Sequence, residues 1–121
     1  MKFGVSEFAT IRLCVADVKQ SKNWYAEFFG TQPVEDLENF VSFKIAGTCL
    51  DLAVADEKSP LSKGGSVGYW LVDDFEAAIT YAIELGGKVY RGPLKVPEVR
   101  RIIAQIEDPY GNVVGIEGKL D

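Results

Sequence analysis

Few side chains in this sequence could carry acid–base chemistry, because the chain has no histidine. Without an imidazole, proton transfer near neutral pH needs a carboxylate or a similar group held in position. The evident candidates are Asp51, Glu117 and Tyr69, which stand within apolar runs. The absence of histidine counts against an enzyme, and the sequence assigns no catalytic residue.

The two cysteines give no sign of a metal or redox site. Cys14 and Cys49 are far apart in apolar contexts, no Cys-x-x-Cys pair occurs, and no histidine could complete a zinc set. We predict two reduced cysteines that pack as small hydrophobic residues.

Composition places the chain among single-domain globular proteins. It has 121 residues, of which 47% are hydrophobic and 26% charged, enough apolar material for a core without disulfides. No apolar run is long enough to cross a bilayer, and the N-terminus lacks a signal peptide's apolar stretch, so we expect a cytoplasmic protein with no membrane partner. A net charge of −5 argues against nucleic acid as a partner.

The secondary-structure elements that must position the candidate side chains come from an internal sequence repeat, in residues 11–30 and 68–87. In each copy a β-rich run ends at an aspartate, Asp17 or Asp74, and apolar residues then recur at helical spacing up to a glycine. An aspartate caps a helix N-terminus and a glycine closes its C-terminus. The pattern predicts two helices, each preceded by a strand.

Three extended segments follow each predicted helix, so the sequence predicts an α+β fold of two tandem βαβββ modules, at about residues 8–55 and 66–117. The polar stretch 56–65 reads as an exposed linker. Residues 92–98 contain two prolines and are predicted to be a loop. The predicted extended segments are Gln32–Leu37, Phe40–Ile45, Thr48–Ala55, Lys88–Arg91, Val99–Ile106 and Asn112–Ile116.

Several strings resemble the vicinal oxygen chelate superfamily of glyoxalases, extradiol dioxygenases and bleomycin-resistance proteins. The closing turn Asp108-Pro109-Tyr110-Gly111-Asn112 is the clearest, and Leu13–Asp17 and Leu71–Ala78 look like the family's two strand-to-helix junctions. The resemblance covers nearly the whole chain. It implies mixed sheets curled into half-cups around a cleft, with the helices outside.

Metal-dependent members of that family bind a divalent ion with histidine and glutamate side chains. By motif alignment the four ligand positions fall on Thr10, Asp51, Val67 and Gly115. Only Asp51 is a strong ligand, whereas a catalytic metal needs about three protein ligands. We therefore predict no metal and no other cofactor, although a register shift of one residue could bring Glu117 beside Asp51.

The resemblance also implies which side chains face the cleft, since successive strand residues point to opposite faces. We expect Arg12 and Asp51 to face inward and to form an ion pair, because an unpaired buried charge is costly. Either Arg100 or Arg101 should point into the cleft mouth, unless it is a solvated edge charge. The expected ligand-binding residues are Thr10, Arg12, Phe43, Cys49, Asp51, Tyr69, Arg101 and Glu117.

Three functions remain open. The first is a metal-free binding protein of the bleomycin-resistance type, in which a homodimer sequesters a drug-sized aromatic or cationic small molecule. The alternative is a glyoxalase-like lyase or isomerase, or another enzyme, that uses Asp51 and Glu117 with no metal or a weakly bound one. The third is a degenerate member kept as a dimeric interaction or regulatory module.

Overall fold

The computed structural model describes residues 2–121, which divide into two compact units between Val54 and Ala55. Each unit contains one α-helix and one four-stranded mixed sheet, which confirms the predicted α+β fold of two tandem modules. In chain order the elements are β1 (Thr10–Val15), α1 (Val18–Phe29), β2 (Glu35–Asp36), β3 (Phe40–Ile45), β4 (Thr48–Val54), β5 (Tyr69–Leu71), α2 (Phe75–Glu84), β6 (Lys88–Val96), a 3₁₀ turn (Pro97–Val99), β7 (Arg101–Glu107) and β8 (Val113–Lys119).

The two sheets have the same topology. The first has the order β1-β4-β3-β2 and the second the order β5-β8-β7-β6, so each module's first strand pairs in parallel with its last. The remaining pairs are antiparallel. This order places β4 and β8 inside their sheets, where both edges of the strand are hydrogen-bonded.

Both helices begin at the predicted aspartates. The Asp17 carboxylate accepts a hydrogen bond from the Gln20 amide, and Asp74 accepts one from Ala77. Gly30 ends α1 in the left-handed conformation that glycine adopts without strain. The capping signals in the sequence therefore set the helix boundaries directly.

In each unit the core lies between the helix and one face of the sheet. In the first unit alternate strand residues such as Leu50, Leu52 and Val41 are almost fully buried there, and Trp24 and Tyr25 of α1 are buried as well. In the second unit Ile106, Ile116 and Ala104 are buried, and α2 contributes Ala82. The other face of each sheet, turned away from its own helix, is called its distal face below.

The segment 92–98 differs from its prediction. Its first residues belong to β6, which continues to Val96 with irregular register between Val89 and Leu94. β6 is the outer strand of its sheet, so one of its edges has no neighbouring strand. Pro93 is tolerated there because a residue without an N–H group costs no inter-strand hydrogen bond on that edge. Within residues 2–121, no helix combines the length and apolar character needed to span a membrane.

Candidate functional site

The distal face of the first sheet carries the expected ion pair between Arg12 and Asp51. These residues are directly opposite each other in the parallel β1–β4 ladder, and Arg12 Nη2 lies 3.5 Å from Asp51 Oδ2. Asp51 is only 6% exposed, whereas most of the Arg12 side chain is in solvent. The Arg12 guanidinium also lies 5.6 Å from the centre of the Phe40 ring. The Arg12 guanidinium thus forms an ion pair with the buried Asp51 carboxylate and a cation–π contact with Phe40.

Thr10 and Cys49 lie beside this pair. They oppose each other in the ladder two residues before Arg12 and Asp51, so the strand period puts all four side chains on the distal face. Thr10 is exposed and Cys49 is half-buried. Among residues 2–121, neither Cys49 nor Cys14 forms a disulfide.

Phe43 does not join this group. It pairs with Leu50, the neighbour of Asp51, and is 0% exposed, so it belongs to the helix-packed face. The expectation that Phe43 lines the cleft is corrected by this register. The aromatic residue on the distal face is Phe40, which pairs with Ala53.

The distal face of the second sheet is built around Tyr69 and Gly115. The two residues are paired in the β5–β8 ladder, and the tyrosine ring lies over the glycine so closely that a Cβ there would be 2.5 Å from Tyr69 Cδ2. Gln105 is the next residue across the sheet, and its Nε2 donates a 2.8 Å hydrogen bond to Tyr69 Oη. Glycine at 115 is what allows the ring to lie flat on the strand.

A second ion pair lies next to this ring. Arg101 Nε donates to Glu117 Oε2 at 2.9 Å, and both side chains are about one-third exposed. They border a cavity of about 380 Å³, within the range of small-molecule pockets. Its lining residues are Tyr69, Val96, Val99, Arg101, Ile103 and Glu117.

Apolar side chains around this cavity remain in contact with solvent. Leu71 and Leu94 occupy the same row of the distal face as Ile103 and Glu117, and both are about half exposed. Val99, in the 3₁₀ turn, is 60% exposed. A contiguous exposed apolar patch of this kind is typical of a binding site.

The four positions aligned with metal ligands do not fit a transition-metal site. Val67 and Gly115 offer no donor atom, Thr10 offers only a neutral hydroxyl, and Asp51 is engaged by Arg12. The space that a ligand side chain at position 115 would enter is filled by the Tyr69 ring. Within the described chain, no three His, Cys, Asp or Glu side chains come close enough to hold an ion.

A family model described as the glyoxalase/bleomycin resistance protein/dioxygenase superfamily matches residues 7–116. The chain belongs to this superfamily. The match spans both modules and includes every ligand-binding residue predicted from the sequence except Glu117, one position beyond its end. No protein of curated function matches the sequence significantly.

Solved structures agree with membership of the glyoxalase/bleomycin resistance superfamily. A family enzyme from Burkholderia phytofirmans PsJN is 18% identical with a TM-score of 0.79, and covers 95% of this chain and 100% of its own. A glyoxalase/bleomycin resistance protein from Albidiferax ferrireducens T118 is 19% identical, with a TM-score of 0.75 over 94% of this chain and 100% of its own. TnmS3, an antibiotic-binding protein from Streptomyces sp. CB03234, is 26% identical with a TM-score of 0.76, covering 97% of this chain and 98% of its own.

The predicted site residues therefore fall into two groups, one on each sheet. The structure brings Thr10, Arg12, Cys49 and Asp51 together on the first distal face, and Tyr69, Arg101 and Glu117 together on the second. Sequence reasoning missed Phe40 and Gln105. The signal for Gln105 was its position an even number of residues from Arg101, which puts both side chains on one face of β7.

Proposed function

We propose that this protein binds a small molecule without a metal, holding a drug-sized aromatic or cationic ligand in a cleft of a cytoplasmic homodimer. The observation that carries this proposal is the second distal face, where a tyrosine ring and exposed aliphatic side chains border a cavity of about 380 Å³. An aromatic ring beside aliphatic walls favours a planar apolar ligand.

The relationship to TnmS3 supports binding rather than catalysis. That protein is described as antibiotic-binding, and it matches this chain over nearly the full length of both. The fold alone would not favour either role, since one fold hosts many functions. The support comes from combining the likeness with a donor set that does not fit a catalytic metal.

A second copy of the chain is part of the proposal. Phe3, Val5 and Phe8, close to the N-terminus, are each more than half exposed. Three large apolar side chains within six residues are unfavourable in water unless a partner surface covers them. Size-exclusion chromatography with light scattering should give about twice the chain mass of 13.3 kDa.

The enzymatic alternative has weaker support. Asp51 and Glu117 are each engaged in an ion pair with an arginine. Both carboxylates therefore have a structural role that needs no substrate. Turnover of a glyoxalase-type substrate that is abolished in Asp51→Asn would restore this alternative.

The test of the proposal is ligand binding followed by NMR, with planar aromatic probes of different charge. Saturable binding that shifts backbone amides of Tyr69, Ile103 and Glu117 is the expected result. Tyr69→Ala should weaken it about tenfold, since loss of a stacked ring removes roughly 1–1.5 kcal/mol. Tyr90→Ala is the matched control, because Tyr90 is an exposed tyrosine on β6 outside the lining of this cavity. Binding that is unaffected by Tyr69→Ala would refute the proposed site.

A further inference from the structure

We infer that the second distal face selects a neutral planar ligand that carries a hydrogen-bond donor and an acceptor side by side, such as an aromatic carboxamide. This inference rests on the proposed binding function and narrows its ligand class. It follows from the Arg101–Glu117 ion pair and from the atoms of that pair that are left without partners.

The donor half of the recognition edge is Arg101. Its Nε donates to Glu117 and its Nη1 donates to the carbonyl of Arg100 at 3.4 Å. Its Nη2 has no hydrogen-bond partner within residues 2–121. A guanidinium has five N–H donors in one plane, so this nitrogen offers N–H groups to an acceptor in the cavity that Arg101 lines.

The acceptor half is Glu117. Its Oε2 receives the Arg101 bond, while Oε1 has no protein partner among the described side chains. A carboxylate oxygen can only accept, so this atom requires an N–H or O–H from the ligand. The ion pair therefore presents one donor group and one acceptor atom at the border of the same cavity.

The charges of the pair balance, and this determines the charge of the ligand. Arg101 and Glu117 are the only charged residues among those that line this cavity, and the other four are Tyr69, Val96, Val99 and Ile103. A cationic ligand would be repelled by Arg101 and an anionic ligand by Glu117. In both cases the like charges would be close together, beside apolar walls that screen charge poorly. A neutral group with both functions satisfies both atoms and loses less hydration on binding.

The experiment compares three probes with the same ring and different substituents: 2-naphthamide, 2-naphthoate and 2-naphthylmethylammonium. Dissociation constants are measured at pH 7 by NMR titration of the wild-type protein. We expect 2-naphthamide to bind about fivefold more tightly than either ion, the factor that roughly one net hydrogen bond supplies.

Two variants that each remove one charge should change this selectivity in opposite directions. Glu117→Gln removes the negative charge, so 2-naphthoate should gain at least about threefold relative to 2-naphthamide. Arg101→Gln removes the positive charge, so 2-naphthylmethylammonium should gain by a similar factor. Loss of folding or of general packing would weaken all three probes together and could not produce opposite changes.

Lys22→Gln is the matched control, because it breaks an ion pair of similar length, 3.2 Å to Asp36, in the first unit. It should leave the order of the three probes unchanged. Circular dichroism of each variant verifies that the fold is retained.

The results separate this inference from the proposed function. If the three probes bind the wild type with equal affinity at the Tyr69 site, the binding function stands and the neutral-ligand inference is wrong. The inference is equally overturned if either ion binds best, or if the two variants leave the selectivity unchanged. If no probe binds at millimolar concentration, the proposed function itself fails and the inference falls with it.

Discussion

The two modules fill the same pair of positions in different ways. Arg12 and Tyr69 are 57 residues apart and occupy equivalent positions on β1 and β5. Each is paired across a parallel ladder with the last strand of its module, Arg12 with Asp51 and Tyr69 with Gly115. The first module thus has a charged pair where the second has an aromatic ring lying on a glycine.

This difference shows that the backbone register is retained while the chemistry changes. Asp51 and Gly115 are both positions where metal-dependent relatives are expected to carry a ligand. In one module a carboxylate persists and is neutralised by arginine, and in the other the side chain is absent and its space is occupied by a ring. The distal face of the first sheet is therefore charged at this position, whereas that of the second is aromatic.

The largest expected effect tests how unequally the two helices contribute to the core. Tyr25 of α1 and Ala82 of α2 are equivalent positions, and both are fully buried. Tyr25→Ala should lower the free energy of unfolding by about 3–5 kcal/mol, because it leaves a cavity under α1. Urea denaturation measures this, and Tyr81→Ala, which truncates a half-exposed tyrosine of α2, should cost about 1 kcal/mol. Equal losses of unfolding free energy in the two variants would contradict the unequal contribution of the two helices.

The second prediction tests whether the ring in the second module needs its glycine. Gly115→Ala places a methyl group 2.5 Å from Tyr69 Cδ2 and 2.7 Å from the Gly68 carbonyl oxygen. We expect a destabilisation of about 2 kcal/mol, because overpacking forces the ring or the strand to move. Adding Tyr69→Ala should recover only part of the loss, since the carbonyl contact remains. Denaturation of the single and double variants provides the thermodynamic cycle. Full tolerance of alanine would show that Tyr69 moves easily.

A third, smaller difference is expected between the two ion pairs. Arg12→Gln leaves the buried Asp51 carboxylate uncompensated and should cost about 1 kcal/mol. Arg101→Gln should cost about 0.5 kcal/mol, since both members of that pair are partly solvated. Raising the salt concentration should reduce only the second effect appreciably. If Arg101→Gln lowered the free energy of unfolding more than Arg12→Gln does, the prediction that the Arg12–Asp51 pair contributes more would be wrong.

The smallest expected effect is that of added metal. Zn²⁺, Ni²⁺, Mn²⁺ or Fe²⁺ should leave the melting temperature within about 1 °C, because an ion that does not bind the native state cannot stabilise it. Thermal unfolding with and without each ion measures this. A clear shift with one bound ion per chain would contradict this prediction, and its loss in Asp51→Asn would identify Asp51 as a ligand.

Much of the fold could be predicted because its signals are local. The aspartate caps at Asp17 and Asp74, and Gly30 after α1, act within a few residues of themselves. The Arg12–Asp51 pair was also predictable, because a buried charge needs an opposite charge on the adjacent strand. The end of β6 was mispredicted because the tolerance of Pro93 depends on the order of strands in the sheet, which no local sequence signal encodes.

The site was harder to predict because side-chain direction depends on register. β3 contains Phe40 and Phe43, an odd number of residues apart, so one must be buried against α1 and the other must face away. The sequence does not say which, and the prediction that Phe43 faces the cleft is wrong. The Gln105–Tyr69 hydrogen bond and the Arg101–Glu117 ion pair were missed for a similar reason, since each joins strands that are distant in the chain.

The turn at Asp108 has a consequence for the order in which the chain folds. Its carboxylate accepts hydrogen bonds from the amides of Tyr110 and Asn112, and its own amide donates to the Asn112 carbonyl, all within five residues. Because all of these hydrogen bonds are local, the turn can form before distant segments of the chain come together. The hairpin that it closes can then form within microseconds. We therefore expect β7 and β8 to be ordered early in refolding, with β5 added later because its pairing must close a loop of more than forty residues.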